Sequence, residues 1–124
     1  MDSQIRRTYF TQAQFTECRY KLVSADSYIA YLRGKRCQTE EDFFCEISSS
    51  MQFPYYFGMN WAALDDCLCD LDWLLFSKII IMIDNYGEMF GGDDQTKNRL
   101  LRYFGYMIEY WEKEGKKVEI WLND

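Results

Sequence analysis

Histidine is missing from this 124-residue chain, and with it go the commonest general base and every metal or nucleophile constellation that needs an imidazole. Most hydrolase chemistries are excluded on that ground. Proline occurs once, at Pro54, so one site only carries a proline break. No apolar run approaches the roughly 20 residues of a membrane-spanning helix, and Met1 to Phe10 is polar and basic, without the apolar centre of a signal peptide. A cytoplasmic protein is therefore expected. Positive charge is also missing locally. From Cys37 to Ser77 there is no Lys or Arg, while Glu40, Glu41, Asp42, Glu46, Asp65, Asp66, Asp70 and Asp72 give that stretch a charge of −8. The first 36 residues carry 7 basic against 3 acidic side chains, and Lys78 onward 7 against 9. A local acidic segment repels nucleic acid and attracts basic protein surface.

Aromatics are abundant. Ten Tyr, nine Phe and four Trp, 19% of the chain, exceed what so small a core can hold, which points to aromatic side chains on a binding surface. The length and the 48% hydrophobic composition fit one domain, residues 1–124, with one core. Cys18, Cys37, Cys45, Cys67 and Cys69 are odd in number and lack a disulfide framework's spacing, so they read as thiols.

Tyr28 to Leu32 reads as a buried strand closed by Gly34-Lys35-Arg36. Thr39 before Glu40, Glu41 and Asp42 marks a helix start that Ser48-Ser49-Ser50 and Pro54 should end near Ser49. A second helix is expected from about Asn60 to Leu71, with Leu64, Cys67, Leu68 and Leu71 on its buried face. Ile79 to Ile83 has the unbroken apolar pattern of a central strand in a parallel sheet. Asn85 to Gly92 reads as a loop, capped onto the longest helix by Asp93 or Asp94. In that helix Leu100, Phe104, Met107, Ile108 and Trp111 form the buried stripe, and Gly115 stops it before a last strand with Val118, Ile120 and Leu122 on one side. This βαβ rhythm implies an α/β fold with a small three-stranded parallel sheet packed by helices. Residues 1–26 form an N-terminal extension to a core of 27–124. Within it Cys18, Tyr20 and Leu22 alternate with Arg19, Lys21 and Val23, and Ser24-Ala25-Asp26-Ser27 can turn the chain into the next strand, so an added antiparallel edge strand is expected there.

No cofactor or metal is called for. Cys67-Leu68-Cys69 lacks zinc or thioredoxin spacing, and Asp84, Glu88, Asp93 and Asp94 do not follow a calcium-loop pattern. Pro54, Tyr56, Gly58, Asn60, Ala63, Leu64, Asp66, Cys67 and Leu68 stand at fixed offsets inside an aromatic cluster. This segment resembles the barstar family, small intracellular inhibitors that plug ribonucleases of the barnase type. The likeness runs back to about Tyr28 and returns at Glu114-Gly115 and Val118 to Leu122, covering about three quarters of the chain and leaving out residues 1–26.

The resemblance implies that this chain is not an enzyme and that its partner is a cognate ribonuclease toxin, bound one to one, with Asp66 in the place of the family's main anchor. A carboxylate fixed on a helix occupies the phosphate position and bonds to active-site Arg and Lys. Tyr56, Asn60, Trp61 and Asp65 would ring it, with Asp70 and Tyr110 further out. Trp61 and Tyr56 have a plain alternative, stapling the helix entry against the core. The chain departs from the family where Ala62 replaces an acidic contact, Asp65 a tryptophan, and Tyr110, beside Glu109, an acid of the last long helix. A ribonuclease with a different rim from barnase is therefore expected. In bacteria such relatives look like immunity proteins, each paired with a toxin domain made by the same or a neighbouring cell. Two rivals stand: an acidic adaptor for a basic protein that is not a nuclease, and an enzyme using Asp65 and Asp66. The second is disfavoured because neighbouring helical residues diverge by about 100 degrees.

Overall fold

The computed structural model describes residues 5–124; the first four residues of the expected extension lie outside them. The chain runs β1 (Ile5–Thr8), α1 (Gln12–Lys21), β2 (Ser27–Arg33), a 3-10 turn (Gly34–Arg36), α2 (Glu40–Met51), α3 (Trp61–Leu68), β3 (Lys78–Asp84), a kinked 3-10 segment (Tyr86–Gly92), α4 (Asp94–Lys113) and β4 (Lys117–Asn123). Strand order is β1-β4-β3-β2, and all three pairings are parallel. The α/β class and parallel sheet are as expected. The strand count is not: the sheet has four strands rather than three.

Correction is also needed on the N-terminal segment, whose strand is Ile5–Thr8 and pairs with β4 in parallel; the Cys18–Val23 region expected as an antiparallel edge is mostly helix α1. The reason is legible in hindsight. Phe15, Cys18 and Leu22 fall at i, i+3, i+7, a helical spacing that the Cys18, Tyr20, Leu22 alternation hides. A reciprocal capping box starts that helix, with Gln14 N–H donating to Thr11 Oγ1 at 3.1 Å and Thr11 N–H to Gln14 Oε1 at 2.9 Å.

β3 is interior and both its faces are covered. Ile79, Ile81 and Ile83 join the main core under α2, α3 and α4, while Ile80 and Met82 meet Phe15 of α1 on the other face. This is why its sequence is continuously apolar rather than alternating. The extension is knitted to the sheet end by Asn123. Its amide donates to Asp84 Oδ1 and Phe10 O, both at 3.0 Å, and its Oδ1 accepts from Thr8 Oγ1 and Phe10 N, both at 2.8 Å. Every hydrogen-bonding position of this buried amide is thereby used.

α2 starts where Thr39 caps it, accepting from Asp42 N at 3.0 Å. It passes through the three serines and ends at Met51, two residues beyond expectation, with Gln52 left-handed at φ 56. Tertiary contacts outweigh the serines' turn preference. Met51 is fully buried, and Ser50 Oγ donates to Tyr31 O at 3.0 Å, satisfying a carbonyl on edge strand β2. α3 is shorter than expected, with Asn60 as its cap and a tight turn after Leu68, in which Leu71 takes φ 53 yet stays buried. Asp93 caps α4, accepting from Thr96 N at 3.0 Å, and the whole expected α4 stripe is buried.

Candidate functional site: the α3 face

Pro54 opens the approach to α3, where Phe57 N–H donates to Pro54 O at 3.0 Å. Phe57 packs edge-on against Phe44 and Phe53, which pins the loop to α2 and turns the intervening tyrosines outward. Tyr55 is 100% exposed and Tyr56 68%. Asn60 then sets the start of the helix, its Oδ1 accepting from Ala63 N at 2.8 Å and its amide donating to Gly58 O at 3.1 Å.

Below that cap, Leu64, Cys67 and Leu68 face the core and Ala62, Asp66 and Asp70 are exposed. Asp66 makes no ion pair or hydrogen bond among the described residues, so its carboxylate is presented to solvent unpaired. Asp70 crowds Asp72, whose carboxyl is pushed up by a hydrogen bond to Asp70 and by its charge. α3 has no basic residue in its last turn, so these acids sit unopposed at the negative end of its dipole, an arrangement that weakens the helix.

Asp65 is half-buried, and its Oδ1 accepts from Tyr103 Oη at 3.1 Å and from Cys69 Sγ at 3.5 Å. Burial first, then the charges of Cys69 and Asp65, push the Tyr103 hydroxyl far up and keep it a proton donor. Trp61 is also engaged within the chain. Its ring stacks near Phe43 and meets Phe44 edge-on, its Nε1 donates to Glu40 Oε1 at 2.6 Å, and the Arg99 guanidinium lies 4.7 Å from its ring centre. The staple role weighed for Trp61 thus has definite contacts, whereas among the described residues the Tyr56 ring pairs with that of Tyr55 alone, at 5.8 Å.

Tyr110 lies on neighbouring α4, half-buried and edge-on to Trp111. Between Tyr103 and Tyr110 stands Tyr106, which sequence reasoning passed over. It is 52% exposed, and the negative charge of Asp65 heads the causes that push its hydroxyl up, which places it in the field of α3. The signal was present: Tyr103, Tyr106 and Tyr110 recur at i, i+3, i+7 beside the buried stripe. The structure therefore sets Asn60, Trp61, Asp65, Asp66 and Asp70 on or at one helix with the α4 tyrosines alongside, and Tyr56 on the loop before it. Such a surface is suited to cationic side chains, which carboxylates and aromatic faces both attract.

The fold is thus a parallel α/β sheet that carries an acidic helix, α3, flanked by exposed aromatic side chains. The family described as Barstar (barnase inhibitor) matches residues 28–123, and the chain belongs to it. As described, that family is one of inhibitors rather than enzymes. Among curated proteins none matches. β1 and α1 precede the matched stretch. No helix among the described residues is long and apolar enough to cross a membrane.

Proposed function

We propose that this chain is an immunity-type inhibitor that binds a cognate ribonuclease toxin one to one and covers its basic active site with the α3 face, acting in the cytoplasm as one barstar-like domain of residues 1–124. The observation that carries the reading is Asp66, an exposed carboxylate unpaired among the described residues, on a helix whose other face is buried; the resemblance to the family implies that it stands in the anchor's place. Its rigid placement favours charge-assisted bonds to phosphate-binding Arg and Lys. In this reading Tyr56, Asn60, Asp70 and Tyr110 would join Asp66 in the contact surface, with Asp65 oriented by Tyr103 and Trp61 fixing the helix entry through its contacts with Phe43, Phe44 and Glu40. Ala62 and Asp65 in place of family contacts favour a target other than barnase, with a rim matched to tyrosine.

The test is a cleavage assay with the ribonuclease encoded beside this gene, with and without an equimolar amount of the chain. Inhibition that RNA competes against is expected, and Asp66→Ala should weaken the complex by about 2 to 5 kcal/mol. An Asp66→Ala affinity within about 0.5 kcal/mol of wild type removes the anchor, since ordinary surface changes stay inside that range. Tight binding with undiminished cleavage makes the chain an adaptor instead.

A further inference from the structure

The basic excess of the first 36 residues is not used by the acidic face, and the fold gathers much of it elsewhere. Helix α1 covers one face of the sheet and α2 the other, and where both flank edge strand β2 they leave a polar crevice of two adjoining parts, 340 and 220 Å³, that share Gln12, Tyr31 and Arg33. From α1 it receives Gln12, Thr16 and Arg19, at i, i+4, i+7 and thus on one helical face. From the strand and the turn after it come Arg33, Lys35 and Arg36.

Two carboxylates also line the crevice, and both are already engaged. Glu46 takes three bonds from Arg33, at 2.8 Å from the backbone N–H, 2.9 Å from Nε and 3.0 Å from Nη2. Asp84 accepts from Asn85 N at 2.9 Å, Asn123 Nδ2 at 3.0 Å and Tyr31 Oη at 3.3 Å. Four cations against two carboxylates leave the crevice with an excess of two positive charges. Among the described residues Arg19, Lys35 and Arg36 have no ion-pair partner.

The backbone that carries these cations, and two of their side chains, are held in place. Arg33 is fixed by its fork onto Glu46, and Arg19 lies 5.1 Å from the ring centre of Tyr31. The turn bearing Lys35 and Arg36 is clamped, because Gly34 lies so close to the sheet that a Cβ there would be 2.4 Å from the carbonyl oxygens of Asp84 and Asn85. Gln38 Nε2 also donates to Lys35 O at 2.9 Å. Gln12 adds the positive end of the α1 dipole to the same crevice.

We propose that this crevice between α1, β2 and α2 is a binding site for a phosphate group, free or as a small phosphomonoester. The two oriented guanidiniums of Arg19 and Arg33, the cationic side chains of Lys35 and Arg36 on a clamped turn, and a helix N-terminus suit a tetrahedral dianion better than a carboxylate. The α1 wall lies outside the stretch matched to the family, and the proposal does not rest on the inhibitor reading.

The test titrates the full chain with inorganic phosphate and, separately, with adenosine 5′-monophosphate, following backbone amide shifts by NMR at constant ionic strength, with chloride as the matched control. Saturable shifts confined to residues around Gln12, Arg19 and Gly34–Arg36 are expected, with the tighter of the two ligands identifying the source. The exposed double variant Lys35→Gln/Arg36→Gln should weaken binding about tenfold or more, and Arg19→Gln severalfold, each with an unchanged spectrum elsewhere. Shifts that chloride reproduces, no saturation by roughly 10 mM ligand, or binding indifferent to the double variant would each overturn the assignment.

Discussion

Glu46 offers the sharpest check on the energetics, since one carboxylate, 9% exposed, serves both a side chain and the open edge of the sheet. Replacing it by alanine removes three effects of different size. The Arg33 side chain is 59% exposed, so its guanidinium returns to water and the lost pairing contributes little. The Arg33 backbone N–H on β2 loses its acceptor, worth about 1 to 3 kcal/mol to the extent that water cannot replace it. Lost packing of the side-chain methylenes adds up to about 1 kcal/mol. Glu46→Ala should therefore destabilise by about 1 to 4 kcal/mol, and Glu46→Gln, which keeps an acceptor for the N–H, by about 1 kcal/mol or less.

The pH dependence follows from the same contacts. Burial pushes the Glu46 carboxyl up, but the side-chain and backbone hydrogen bonds from Arg33 outweigh it, so the folded-state value lies below the ordinary one. A depressed carboxyl contributes stability that is fully present above the unfolded value of about 4.3 and is lost as pH falls through the folded one. Urea denaturation of wild type and Glu46→Gln from neutral to acid pH should thus show a constant gap that shrinks below about pH 4. If Glu46→Ala costs under about 0.5 kcal/mol, or if the gap widens toward acid, the edge-capping argument is refuted.

Three further outcomes follow from particular contacts. Asn60→Ala removes the α3 cap and should lower stability by about 1 kcal/mol in denaturant unfolding; no change would mean that the loop, not the cap, sets the helix start. Gly34→Ala forces a Cβ to within 2.4 Å of two backbone carbonyl oxygens that cannot yield as a side chain would, so a drop of several degrees in thermal midpoint is expected, and an unaltered midpoint counts against the close approach. Deleting residues 1–26 uncovers Ile80 and Met82 and strips Asn123 of its Thr8 and Phe10 partners. The shortened chain should bind an apolar dye and aggregate on concentration, whereas a soluble, cooperatively unfolding product would show that the family-matched stretch suffices.

The fold's centre was written in the sequence because its signals are local and periodic. An apolar run such as Ile79–Ile83 fits only a strand covered on both faces, the α4 stripe fits only a helix on a core, and Thr39, Asn60 and Asp93 mark helix starts through short-range hydrogen bonds. The same holds for the acidic surplus and for the exposure of Asp66, which falls off the apolar stripe of α3. Only tertiary structure decided the rest. Helix α1 won over a strand because Phe15 found Ile80 and Met82, and β1 could be placed beside β4 only once the chain had closed through Asn123. Trp61 was drawn inward by Phe43, Phe44, Glu40 and Arg99, partners 17 to 38 residues away in sequence, and Tyr103 reached Asp65 across two helices. Side chains that answer to partners so distant leave no periodic trace, and so the sequence determined which elements form while packing determined which faces they show.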